Sequence, residues 1–127
     1  MLEAGIFALL SGMSGVTAIC GTRIFPLLLP TDETLPAITW HIVSSVPRPT
    51  FLSSGFVRTR IQFDCWGDVY ADAANLRAAL IGALNGYVGT LSNGLRVSNV
   101  DRVQSIDFYH RDAMQYRLAV EFVFYHI

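Results

Sequence analysis

Few side chains in this sequence of 127 residues could do covalent or acid–base chemistry: two cysteines, three histidines and ten carboxylates. A nucleophile needs a base within hydrogen-bond reach and a third group to orient that base. Cys20 and Cys65 are far apart, with no Cys-x-x-Cys pair and no Cys/His cluster at metal spacing. Cys65 falls on the apolar register of an alternating segment beside Ile61 and Phe63, where a thiol is inert. His41 and His126 lie on segments that could adjoin as strands, but two histidines without an Asp or Glu at ligand spacing make a poor metal site. Asp64, Asp68 and Asp72 gather where a strand gives way to a helix. Helix capping and dipole compensation account for Asp68 and Asp72. His110-Arg111-Asp112 spells a kinase catalytic triplet, yet the chain has no lysine and no glycine-rich phosphate loop, so the triplet reads as a polar turn. No dinucleotide fingerprint or nucleophile elbow is present. The residues argue against an enzyme and call for no cofactor and no metal.

Composition points elsewhere. The chain is 52% apolar and only 15% charged, against about 25% charged in an ordinary globular domain, which excludes disorder. One domain of this mass exposes roughly 6,700 Å² folded and roughly 20,000 Å² unfolded, enough burial for a core without staples. The net charge is −1, without a basic run, which argues against non-specific nucleic-acid binding. All nine cations are arginine. Coding bias would give the same result. So would surface covered by other subunits, because a guanidinium desolvates more readily than an ammonium and binds two acceptors at once. Two interfaces of roughly 800 Å² each would hide about a quarter of the folded surface, as in a ring. Residues 4–22 carry no charge, but Gly5, Gly12, Gly15 and Gly21 break them into short pieces. No basic region precedes them, so neither a signal peptide nor a membrane span is expected.

The elements that must position these residues follow from spacing. Leu2, Ile6, Leu9, Leu10 and Met13 predict a short amphipathic helix over residues 2–11, ended by Gly12 and Gly15. Residues 23–29 form a short extended piece, and 37–43 a strand with Ile38, Trp40 and Ile42 on one face. Residues 44–55 are the main irregular segment, a loop with Phe51 and Leu52 as apolar tips suited to a partner. In residues 56–66, Val57, Thr59, Ile61, Phe63 and Cys65 alternate with Arg58, Arg60, Gln62 and Asp64, a long antiparallel strand with one polar face. Asp68 is placed to cap a helix running to Asn85, with Ala73, Leu76, Leu80, Ala83, Leu84 and Tyr87 on one stripe. After a turn at Asn93-Gly94, residues 100–109 and 115–126 make two more strands. The order predicts an α+β domain over residues 1–127, an antiparallel sheet of about four main strands with two helices packed on one face.

In Gly21-Thr22-Arg23-Ile24-Phe25-Pro26, Leu35-Pro36-Ala37-Ile38-Thr39-Trp40, Arg60-Ile61-Gln62-Phe63-Asp64-Cys65-Trp66, the helix opening Asp68-Val69-Tyr70-Ala71-Asp72-Ala73-Ala74, and the last segment Tyr116-Arg117-Leu118-Ala119-Val120-Glu121-Phe122, the chain resembles the tail-completion, or tail-terminator, proteins of long-tailed bacteriophages. The resemblance covers nearly the whole chain. It implies a structural virion protein at the head-proximal end of the tail, assembled in the host cytoplasm. The protein would form a homo-oligomeric ring, commonly a hexamer, stacked on the major tail (tube) protein and facing a head-side connector. DNA would only pass through the lumen, without sequence-specific binding, and no membrane is involved. A ring of this kind closes because each contact is heterologous and the rotation completes a circle. The residues expected at a subunit or tail-tube contact are Phe51, Leu52, Arg58, Arg60, Gln62 and Trp40. For Arg58, Arg60 and Gln62, an ordinary solvated face is the competing reading. Two other functions fit the same residues: another head–tail connector or minor tail protein, and a small α+β ligand-binding or enzymatic domain with His41 and His126 near a pocket.

Overall fold

A strict period of two over residues 57–67 needs a neighbour on each side to bury its apolar register, and the fold supplies both. A computed structural model describes residues 2–47 and 57–126. The described elements are α1 (Leu2–Ser11), α2 (Ser14–Cys20), β1 (Ile24–Pro26), β2 (Ala37–Pro47), β3 (Val57–Gly67), α3 (Tyr70–Leu84), β4 (Gly89–Thr90), β5 (Arg96–His110) and β6 (Gln115–His126). The strands form one six-stranded sheet in the order β1-β2-β3-β6-β5-β4, antiparallel except for β1 beside β2. This is an α+β fold, but with six strands and three helices in place of four and two. The short strands β1 and β4 and the helix α2 are too brief for periodicity to reveal. Gly12 and Gly15 flank α2's start rather than ending all helix: the chain turns at Gly12-Met13 and resumes at an angle of 79° to α1.

Register decides what each face carries. Ile61 pairs with Phe122, Phe63 with Val120 and Cys65 with Leu118, while Ile38 and Trp40 of β2 lie opposite Cys65 and Phe63. All of these except Leu118, which is itself buried, join Leu2, Ile6 and Leu10 of α1, Val16 and Cys20 of α2, and Leu76, Leu80 and Leu84 of α3 in one core. All three helices therefore cover the same side of the sheet. Phe63 meets Phe122 edge to face at 5.8 Å between ring centroids, and Phe124 tilted at 6.4 Å. Fully burying a ring of this size contributes about 2–3 kcal/mol. Both cysteines are free and fully buried in this layer, and burial raises each thiol above its ordinary value of 9.0. Neither thiol is available as a nucleophile at neutral pH.

Three local expectations change. Asp68 does not cap α3: the N-cap is Val69, in extended conformation with no side-chain hydrogen bond, and Asp68 is exposed. The helix instead starts at Tyr70, where the chain has turned back against the end of β3 at Gly67. A Cβ on Gly67 would sit 2.9 Å from the Ala73 nitrogen and 3.0 Å from the Val69 oxygen. Residues 44–47 belong to β2 rather than to an irregular segment. A register shift between Ile42 and Ser44 lets the strand continue to Pro47, opposite Val57. The rest of the expected loop, Phe51 and Leu52 included, lies outside the described residues. Finally, His41 and His126 do not adjoin. β3 separates their strands, and His41 lies on the helix-free face whereas His126 points to the helix side and bonds the Thr59 hydroxyl at 2.8 Å. No single described helix is long and apolar enough to cross a membrane.

Gly67→Ala is expected to lower stability by about 1–3 kcal/mol, since backbone must move away from backbone. The measurement is a urea midpoint that falls while the slope stays constant.

Candidate functional site

The helix-free face of the sheet holds the polar half of every alternation: Arg58, Arg60, Gln62, Asp64 and Trp66 on β3, and Arg117, Glu121 and Tyr125 on β6. β2 adds Thr39 and His41, and β5 adds Gln104, Phe108 and His110. An ordinary solvated face would leave these side chains in water. Here two carboxylates are buried within the layer, Asp64 and Glu121, each only 6% exposed.

Each carboxylate is roofed by an arginine and an amide. Arg60 Nε donates to Glu121 Oε1 at 2.8 Å, and Gln104 Nε2 donates to Oε2. Arg117 Nη1 donates to Asp64 Oδ1 at 3.1 Å, and Gln62 Nε2 donates to the same oxygen at 2.9 Å. Arg117 does more. Its Nε donates to His110 Nε2 at 2.9 Å, and its guanidinium lies 4.2 Å from the Phe108 ring centre and 5.8 Å from that of Trp66. The Trp66 ring in turn stacks on His110 at 5.3 Å and donates its Nε1–H to Thr39 Oγ1 at 2.9 Å. A lysine could not replace Arg117, because only a planar guanidinium both stacks and donates in several directions. For Glu121, burial alone would raise the carboxyl pKa. The hydrogen bonds from Gln104 and Arg60, with the Arg60 charge, outweigh that and hold it below its ordinary value of 4.5.

The polar groups of this layer are engaged with one another. Each carboxylate accepts two side-chain hydrogen bonds, and no buried side-chain polar atom among the described residues lacks a partner. His110 Nε2 is already an acceptor for Arg117. Among the described residues no three His, Cys, Asp or Glu side chains come together as a metal site. Asp64, Asp68 and Asp72 separate: Asp64 is locked under Arg117, whereas Asp68 and Asp72 are exposed near the start of α3.

The expected contact residues divide as well. Arg58 is exposed and belongs to none of the three ion pairs among the described residues. Arg60 and Gln62 are half-buried and hold the carboxylates. Trp40 is 7% exposed and packs in the core on the helix side. Two apolar surfaces escaped the residue-level reading. One is the outer half of β5, where Val103, Ile106, Phe108 and Tyr109 are 39–49% exposed. The other is the loop after β1, where Leu27 and Leu28 are 73% and 80% exposed. The loop and the β5–β6 turn line a groove of about 610 Å³ that also includes Trp66 and His110. The run Leu27-Leu28-Leu29 between Pro26 and Pro30 was the available signal: a proline-bounded apolar run too short for an element has nothing of its own to pack on.

Residues 4–126 match the family described as Tail completion protein gp17. The chain belongs to that family. It is thereby a structural virion protein of the bacteriophage tail. Among solved structures, a chain of the virion of a native gene transfer agent particle is similar, at 17% identity and a TM-score of 0.77, over 98% of this chain and 93% of that one. That likeness shows a shared fold. No curated protein matches the sequence.

Replacing Arg60 and Gln104 together by alanine is expected to cost about 1–3 kcal/mol at pH 7, by leaving a buried carboxylate without donors. The pH dependence has a definite sign. In the native protein, Glu121's depressed pKa adds stability above pH 4.5, which is lost as pH falls through the folded-state value. In the variant, burial alone raises that pKa, so its deficit shrinks on acidification. Urea midpoints at pH 7 and pH 3.5 should show the gap closing; a gap independent of pH would assign the loss to packing.

Proposed function

We propose that this chain closes the bacteriophage tail tube as a homo-oligomeric ring, commonly a hexamer, and joins the tube to a head-side connector. The observation that carries the proposal is the match to the tail-completion family over residues 4–126. The chemistry of the helix-free face agrees with it. Paired carboxylates and a stacked arginine present a defined shape of the kind that assembly by complementary surfaces requires. Exposed apolar side chains on β5 and after β1 offer area for further subunits. In this reading the major tail protein lies on one side of the ring and the connector on the other. DNA passes through a lumen that a chain of net charge −1 lets it slide along. The segment containing Phe51 and Leu52 is assigned to the tube or a neighbouring subunit, as is Arg58.

Particles made without this protein are expected to accumulate as separate heads and tails, with tails of irregular length, when viewed by electron microscopy. Joined particles of normal length would overturn the proposal.

Arg58 gives the finer test because nothing in the described fold depends on its charge. Arg58→Glu is expected to change stability by no more than about 0.5 kcal/mol, as surface changes usually do, while reducing incorporation into tails several-fold. Arg60→Glu, by contrast, should impair folding itself, since it sets a second carboxylate against Glu121. Normal incorporation of the Arg58 variant would mark that position as merely solvated.

A further inference from the structure

A strand at the edge of a sheet presents a row of unpaired backbone N–H and C=O groups, and soluble proteins usually protect such edges with lysine, proline, bulges or a cover. The outer side of β5 is protected only over its first part. β4 pairs with Arg96 and Val97, the Gly86 N–H donates to the Val100 carbonyl at 2.7 Å, and the Arg102 N–H donates to Asn85 Oδ1 at 3.2 Å. From Val103 to His110 the outer side has no strand partner among the described residues. Those eight positions contain no lysine and no proline. Their one carboxylate, Asp107, is tied to Arg77 and Tyr70 of α3. The bulge between Arg102 and Gln104 stands at the start of the open stretch, so it does not interrupt it.

The same sheet has a second open edge on its far side. β1 pairs only with residues 38–40 of β2, and the Leu27 N–H closes on the Trp40 carbonyl. Residues 41–47 have no outer strand partner among the described residues, and Val43 and Val46 are each 47% exposed; the stretch carries a bulge between Ile42 and Ser44 near its start and Pro47 at its end, which leaves 44–46 as its regular part. The two edges are of similar length and face opposite ways across the sheet. Three successive antiparallel pairings, β2 with β3, β3 with β6 and β6 with β5, leave β5 running opposite to β2. Across the sheet, residues 41–47 stand level with Gln104 to Val97 and so at the opposite end from the open part of β5. A copy displaced sideways and also shifted along the strands therefore brings its residues 41–47 antiparallel to residues 103–110 without reversing.

We infer that residues 103–110 of β5 in one copy pair antiparallel with residues 41–47 of β2 in the next copy, so that one sheet continues across the subunit boundary. The inference rests on the ring reading above and names its contact. Two different edges meet, so the contact is heterologous and repeats around a circle, whereas β5 against β5 would stop at a two-fold dimer. Cross-strand packing supports the pairing. Ile106 lies opposite Ala119 and Val46 opposite Arg58, which places both exposed side chains on the helix-free face. There, Ile106 and Phe108 of one copy can cover Val46 of the next.

The test is disulfide trapping in assembled particles. Cys20 and Cys65 are fully buried and do not compete. Particles carrying Val46→Cys with Ile106→Cys, and a second set carrying Val46→Cys with Phe108→Cys, are oxidised and run on non-reducing gels, with copy number read from micrographs. At least one double variant should give a ladder of multimers of this chain, and each single variant should give only monomer. Ile106→Lys, a normal edge-protecting residue, should leave the melting temperature unchanged and lower incorporation at least tenfold. A ring in the micrographs with no ladder from either pair, and normal incorporation of Ile106→Lys, would overturn the inference while leaving the ring reading intact. Dimers from Ile106→Cys alone would overturn it in favour of two-fold pairing. A single copy per particle would remove the ring reading itself.

Discussion

The register between β3 and β6 is the constraint on which the other features depend. Side chains alternate with a period of two, so a slip of one residue would move Phe63, Phe122 and Phe124 into the polar layer and drive Arg60, Asp64 and Glu121 into the aromatic core. Both halves oppose that slip. On the helix side, three rings and the leucines of α3 lose their contacts. On the other side, two carboxylates lose the arginines that make their burial tolerable. The pairing extends over eleven positions without a bulge, whereas the neighbouring ladders, β2 with β3 and β5 with β6, each shift register. A straight central pair flanked by bent ones gives a rigid middle and adjustable margins.

The buried carboxylates also bear on why every cation is arginine. Asp64 and Glu121 are satisfied by fixed donors from Arg117, Arg60, Gln62 and Gln104. Arg117 additionally bridges to His110 and lies over Phe108. A compact ammonium would satisfy one carboxylate and leave the stacked aromatic groups without their cation. A coding preference does not by itself produce that geometry. Burying a charge pair is weak evidence for stability gained; its evident effect here is to hold a sheet face in one arrangement.

Much of this was legible from the chain alone, and for a physical reason. Where burial is one-sided, composition must alternate, and residues 57–66 and 115–126 display their faces directly. The apolar stripe from Ala73 to Leu84 did the same for α3, and Cys65 was readable as inert from its register. What could not be read depends on position in three dimensions. α2, β1 and β4 span seven, three and two residues, too few for a period to emerge. Asp68 carries a capping side chain but stands where the backbone needs Gly67 to pass close to α3, and helix placement prevailed over local propensity. The separation of His41 from His126 is a matter of strand order, which no local pattern encodes. The pairing of Asp64 with Arg117 and of Glu121 with Arg60 depends likewise on strand order and register.

The open edges acquire meaning from that same central rigidity. An isolated soluble protein with eight unprotected edge positions and exposed Val103, Ile106, Phe108 and Tyr109 risks indiscriminate pairing, which selection normally suppresses with charge or proline. In a chain of a structural tail family the balance differs, because its working state is an assembly and an edge can be left unguarded where a defined neighbour covers it. The bulges between Ile42 and Ser44 and between Arg102 and Gln104 then have a use beyond relieving strain. Each lies at or near the inner end of an open stretch, where added twist aims the free edge away from its own sheet. The central β3–β6 ladder connects the two margins, and under the pairing proposed above the angle between them, repeated from copy to copy, would decide whether the sheet closes a circle or runs on as a filament.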